Sequence, residues 1–442
     1  MGATTDARVD EWRRYVQRRA AIAASDVDEM EAHLRDQVDD LVAVGLDEDE
    51  AFLVAVKRLG NVDALSQEFA REHADRLWKQ HVASSPADGE RAPEFGVVLL
   101  LGVLAALAVR VGIAVLSDQT VVGNAPLLVL PFLGGYFAWK RRVSVTVALT
   151  GLVAVAALAV VLNAYPFDGF KGTHVLALVH APVLLWCLVG VAYGGGRWRS
   201  RRRRMDFVRF TGEWVIYYAL LALGGMALTG LTAAAFVALG LEPDAALAEW
   251  IVPMGAAGAV LVAAWLVEAK QSIIENMAPV LTRVFTPLTV VLLVALFVGL
   301  VGGGDLSAVD RQLLMVMDLV LVLVVGLVLY AVSARDPLAP PGWFDRLQLL
   351  LVVCALAVDA VVLVAMVVRI ADAGLTANKV AALGLNLVLL VNLLRSLQLS
   401  TAFVRGRRPF DALERWQTGY LPVYAAWAAV VVIALPPLFH WA

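Results

Sequence analysis

Only two cysteines, Cys187 and Cys354, occur among 442 residues. Both fall inside long apolar runs, so no disulfide framework is expected. Catalytic signatures are missing too. There is no G-x-S-x-G elbow and no paired catalytic carboxylate. His174 and His180 lack an H-E-x-x-H pattern, which argues against a zinc site. Gly302-Gly303-Gly304-Asp305 lacks the Lys-Ser/Thr of a phosphate loop and reads as a plain turn. Gly194-Gly195-Gly196 reads as a span terminator. No cofactor, metal or enzymatic reaction is implied. The first ~90 residues hold no apolar h-region, so no signal peptide is expected and the N-terminus should stay in the cytosol. No inverted repeat or pair of broken helices stands out, although secondary transporters often have them.

What is present is apolar. The chain is 60% hydrophobic, against about 45–50% in a soluble domain, and its mean hydropathy is +0.75. Apolar runs near the ~20 residues needed to cross hydrocarbon recur from residue 95 onward. The fold class this implies is all-α: a small cytoplasmic helical bundle over 1–81, a linker over 82–94, and a polytopic α-helical membrane domain over 95–442. Spans are expected near 95–116, 121–139, 143–162, 174–193, 211–239, 250–267, 284–301, 311–333, 347–370, 379–401 and 421–439.

The basic residues fix the threading. Arg197-Trp198-Arg199-Ser200-Arg201-Arg202-Arg203-Arg204 lies between two spans, and so basic a short loop is held on the cytoplasmic side. By alternation, the loops on that side carry 18 Lys and Arg and the opposite loops carry 4. The asymmetry puts the N-terminus inside and the C-terminus, at His440 and Trp441, outside a cell membrane. Arg201, Arg202, Arg203 and Arg204 are candidate contacts for anionic lipid headgroups; nucleic acid is not expected.

Residues 1–81 are acidic and show helical stripes. Val9, Trp12, Tyr15, Val16 and Ala20 form the first. Asp26 with Glu29 fits a cap before Val27, Met30, Leu34, Val38 and Leu41, which Gly45 ends. Asp47 with Glu50 repeats that pattern before Phe52, Val54, Val56 and Leu59, which Gly60 stops. Val62, Leu65, Phe69 and Leu77 form the fourth stripe. The acidic faces are solvated surface or a docking face for a cytoplasmic partner.

Within this region the run from His33 to Glu72 has a helix ending in Gly45-Leu46, then acidic residues with Ala51, then Arg58-Leu59-Gly60-Asn61. It resembles the permease prefix domain of bacterial membrane proteins. The region it marks, residues 1–81, is about a fifth of the chain. The resemblance implies an attachment module with a regulatory or docking role, not a chemistry. Farther on, NMAPVLTRVFTPL, LVLYAVSARDPLAPPGWFDRLQ, NLVLLVNL and RRPFDALERWQTGYLPVYAAWAAVVV resemble a family of multi-span bacterial membrane proteins known only as a domain of unknown function. This second resemblance spans roughly residues 205–440. It supports the architecture and brings no substrate or site.

Two loops on the basic side have more character than turns. Residues 268–283 fit a short interfacial helix with Ile273, Ile274, Met277 and Val280 towards lipid. Residues 333–346 are proline-rich, with Trp343 and Phe344 as interfacial anchors. Each is a structured connector or a binding surface for the prefix bundle. Glu414-Arg415-Trp416-Gln417 reads as a further interfacial anchor.

Ionisable groups inside a span are costly and therefore candidates for function. Asp359 lies mid-way along the ninth span; Asn386, Asn392 and Arg395 lie in the tenth. At about 100° per residue, Asn392, Arg395 and Ser396 share one face. Asp359, Asn392, Arg395 and Asn386 form the candidate intramembrane polar site, with Arg395 expected to hold Asp359 ionised. Asp318 and Arg110 are a secondary pair at matching depth. The site carries a proton or cation, or it is a polar clamp between helices. The functional readings follow in order: a permease-like or transport-associated protein with a regulatory prefix; a non-transporting sensor or scaffold acting through residues 1–81; and, last, an intramembrane enzyme acting on lipid.

Overall fold

The computed structural model describes residues 8–10, 12–13, 24–59, 87–167, 169–238, 247–269, 277–302, 311–337 and 339–441. It divides into two units, 1–94 and 95–442. Among the described residues every regular element is helical.

In the first unit α1 (Ala24–Ala43) packs on α2 (Glu48–Leu59). Gly45 ends α1 at φ 105°, where a Cβ would be strained. Asp47 caps α2, its Oδ1 accepting the Asp49 N–H at 2.6 Å. The expected stripes meet: Leu34, Val38 and Leu41 close on Phe52 and Val56, with Val9 and Trp12 buried beside them. Ala51 and Ala55 join this core, being small enough to bring the helices close. α1 begins two residues before Asp26, so Asp26 lies in its first turn and is not its cap. Gly60 and the fourth stripe lie outside the described residues.

Eleven helices of the second unit are long and apolar enough to cross a membrane, the number expected. They are α3 (Ala87–Val115), α4 (Asp118–Lys140), α5 (Val145–Ala164), α6 (Thr173–Tyr193), α7 (Arg201–Ala238), α8 (Val252–Ala269), α9 (Met277–Gly302), α10 (Arg311–Ala334), α11 (Trp343–Ala373), α12 (Ala377–Val404) and α13 (Asp411–Ala429). A wide turn over Val430–Ala434 continues α13 into α14 (Leu435–Leu438). Side-chain hydroxyls cap several: Ser117 accepts the Thr120 N–H at 3.4 Å, and Thr376 the Lys379 N–H at 3.4 Å. Gly195 and Gly196, at φ 65° and 78°, turn the chain after α6.

Three boundaries differ from the sequence reading. α3 starts at Ala87, so the second half of the expected linker is helical. The arginines Arg201 to Arg204 open α7 instead of lying in a loop. Arginine is a good helix former, and Ser200 caps the run by accepting the Arg203 N–H at 3.5 Å. Met277 and Val280 belong to the start of α9, while residues 270–276 of the expected interfacial helix lie outside the described residues.

Two cores organise the spans. The first is aromatic: Tyr136 and Phe137 of α4, Tyr193 of α6, and Phe207 and Phe210 of α7 pack on apolar residues of α3 and α8. The second is aliphatic, built from α9 to α13 around Leu293, Met317, Leu321, Val324, Leu351, Val358 and Leu393. The first turns of α7 join both, with Met205 in the second core and Phe207 in the first. Gly212 lets α7 reach α10: a Cβ there would collide with the Tyr330 ring. At the same junction Arg209 Nε donates to the Ser333 carbonyl at 3.1 Å.

Candidate functional site

The inward stripe of α11 runs Leu351, Val352, Ala355, Val358, Asp359, Val362, Ala365 and Met366. That is the three- and four-residue spacing of a buried helix face, with a carboxylate where its neighbours are aliphatic. Asp359 is fully buried, and neither carboxylate oxygen has a hydrogen-bond partner among the described residues. The Asp318 carboxylate of α10 is close enough to act on it electrostatically. Asn386 of α12, also fully buried, donates from Nδ2 to Asp318 Oδ1 at 2.8 Å and to the Ala382 carbonyl at 2.9 Å. The Asn386 Oδ1 is buried without a partner. Three helices thus bring together two carboxyls and an amide. Two oxygens of Asp359 and one of Asn386 lack any donor. Buried oxygens without donors cost free energy unless they take a proton or a cation.

Two of the expected pairings do not form. Arg395 is exposed, and its Nη1 donates to Gln398 Oε1 at 3.0 Å, not to Asp359. Residues 392, 395 and 396 do not share one direction: at 100° per residue Arg395 is turned about 100° from Ser396. Asn392 and Ser396 point inward and Arg395 outward. Arg110 turns away from Asp318 as well. It lies over the Trp250 ring at 4.2 Å and 3.8 Å from Glu249, on the segment leading into α8.

Asn392 belongs to a different cluster. Its Nδ2 donates to Gln417 Oε1 at 3.1 Å; Gln417 Nε2 donates to Ser396 Oγ at 2.7 Å and to Asn392 Oδ1 at 3.3 Å. Ser396 Oγ donates to the Asn392 carbonyl at 2.7 Å. All three side chains are fully buried and mutually bonded, which makes them a clamp between α12 and α13. Gln417 was placed by the sequence in an interfacial anchor. The signal that could have found it is its position one residue beyond Trp416, on a helix whose buried face runs Leu413, Gln417, Tyr420.

The remaining candidates are accounted for locally. Arg201 and Arg202 are exposed, and Arg203 and Arg204 half-buried, at the start of α7. His174 stacks on Phe167 with centroids 4.5 Å apart, and His180 Nδ1 lies 2.8 Å from the Leu176 carbonyl. Among the described residues two buried acids lie outside the expected candidates, Glu213 on α7 and Glu268. Glu268, at the end of α8, meets Lys140 at 3.0 Å and Arg141 at 2.9 Å. In the proline-rich loop Arg335 is the central side chain. It forms a fork onto Asp345 at 2.7 and 3.2 Å and lies between the Phe403 and Phe410 rings, 4.5 Å from each.

No family model, no curated protein and no solved structure matches the chain. The eleven apolar helices fit a multi-pass membrane protein, and function rests on the side chains just described.

Proposed function

We propose that this membrane protein is permease-like, moving a solute or ion with the Asp318–Asp359–Asn386 group as its proton or cation carrier. It would sit in a cell membrane with its N-terminus cytoplasmic, and residues 1–81 would serve as a regulatory or docking arm of the permease-prefix kind. One observation carries the reading: Asp359 is buried in the middle of an apolar helix, and neither of its oxygens has a donor among the described residues. A group kept only to join helices is bonded to its neighbour, as Asn392, Ser396 and Gln417 are. A carboxyl that exchanges a proton or cation must be free to take one up.

The test uses the full chain in proteoliposomes loaded with a pH-sensitive dye. An imposed potential should drive proton uptake, and Asp359→Asn should reduce it to the protein-free level at equal reconstituted amount. A hydrophobic carbodiimide should label Asp359 and block uptake. Uptake in Asp359→Asn equal to that of the native chain would refute the assignment.

A further inference from the structure

Arg395, exposed and turned away from Asp359, points to a second site. Its α-carbon lies nine residues before Val404, the last residue of α12, or roughly 13 Å along the axis at 1.5 Å per residue. An arginine so far from the helix end, and exposed on the outside of the bundle, faces acyl chains and reaches back towards the interface. The amide of Gln398 is neutral and does not neutralise it.

Two more guanidiniums converge there. Arg395, Arg408 and Arg415 line one cavity of about 310 Å3 with Leu399, Ala412 and Trp416. Arg408 is exposed and without a partner among the described residues. Arg415 reaches Asp411 at 2.8 Å, an exposed pair on successive turns of α13 that is weak and leaves donors over. Trp416 is anchored by its Nε1, which donates to the Asn392 carbonyl at 3.4 Å. Among the described residues no carboxylate lines the cavity. The site is separate from the arginines that open α7 and does not depend on the transport reading.

We propose that Arg395, Arg408 and Arg415 bind the phosphate of an anionic phospholipid in the leaflet on the basic face, with Trp416 and Leu399 against its glycerol and upper acyl chain. Guanidinium forks match phosphate oxygens, and a lipid supplies the anion at the depth where Arg395 needs it. Inorganic phosphate shares the chemistry but cannot lie against the apolar wall.

Native mass spectrometry of the delipidated full chain, titrated with dioleoylphosphatidylglycerol, tests this. The native chain should retain one lipid that dioleoylphosphatidylcholine does not displace. Arg408→Gln, in an exposed turn that tolerates change, should weaken binding about fivefold, and the triple Gln variant should abolish it. The Arg142→Gln/Arg283→Gln/Arg346→Gln variant removes the same three charges from exposed arginines outside both basic clusters and should bind as the native chain does. Equal loss in that control, or undiminished binding in the triple variant, would overturn the site. Displacement of the lipid by millimolar inorganic phosphate would overturn the lipid as its occupant.

Discussion

Asn386 donates to Asp318 at 2.8 Å, tying α12 to α10, while the Asp359 carboxylate on α11 has no hydrogen-bond partner among the described residues. A structural carboxyl and a functional one differ in stability. Replacing Asp359 by valine, which matches Val358 and Val362 beside it, removes two unpaired buried oxygens. The variant should be more stable by about 1–3 kcal/mol and inactive in proton uptake. Thermal unfolding in detergent measures the first and the dye assay the second. A destabilised Asp359→Val would make the group a clamp.

The opposite sign is expected for the bonded cluster. Gln417→Leu takes the acceptor from the buried Asn392 Nδ2, while Ser396 keeps its bond to the Asn392 carbonyl. The cost should be about 1–2 kcal/mol, since interhelical polar pairs in membranes contribute no more than that. In a double-mutant cycle with Asn392→Leu the losses should be non-additive. Additive losses would show that the two side chains act independently.

The spans were legible because length and composition decide them. Runs such as Val145–Ala164 contain no charge and admit no other reading in water or lipid. The ends around Gly45 and Asp47 followed from the sequence, their φ angle and hydrogen bond being independent of the rest of the chain, whereas the hydroxyl caps Ser117 and Thr376 start their helices three and two residues before the expected spans. Partners within the candidate site were harder. Asp318 and Asn386 each lie seven residues into their expected spans, 311–333 and 379–401, so depth alone could have paired them. Arg110, at similar depth to Asp318, instead meets Glu249 at 3.8 Å. For Arg395 the difference is rotational: the boundary between the buried face and the exposed one falls between Arg395 and Ser396, about 100° apart.

Gly384 predicts a packing coupling. A Cβ there would collide with the Trp427 ring of α13. Gly384→Ala should therefore destabilise by about 1–3 kcal/mol through overpacking, and Trp427→Leu should recover part of it. A neutral Gly384→Ala would mean that α12 and α13 are free to separate at this level.

Arg335 should resist its conservative replacement. Its planar guanidinium uses the fork onto Asp345, the Ala339 carbonyl at 3.0 Å and both phenylalanine faces at once. Lysine cannot reproduce that geometry. Arg335→Lys and Arg335→Ala should each lower stability, alanine by roughly 3 kcal/mol because Asp345 is then left half-buried and unpaired. Chemical unfolding followed by tryptophan fluorescence would record it; equal stability of Arg335→Lys would show that charge alone suffices.

The threading makes a prediction that side-chain geometry does not. Arg407 lies in the tight turn between α12 and α13, and Phe170 in the connection before α6. Alternation of eleven spans puts them on opposite sides of the membrane. Basic loops are generally retained on the cytoplasmic side, so Arg407 is expected to be cytoplasmic and Phe170 outside. In a Cys187→Ala/Cys354→Ala background, Phe170→Cys should react with a membrane-impermeant maleimide on intact cells, whereas Arg407→Cys should react only after permeabilisation. The reverse pattern would invert every span. It would also move the arginine cavity on α12 and α13 to the outer leaflet.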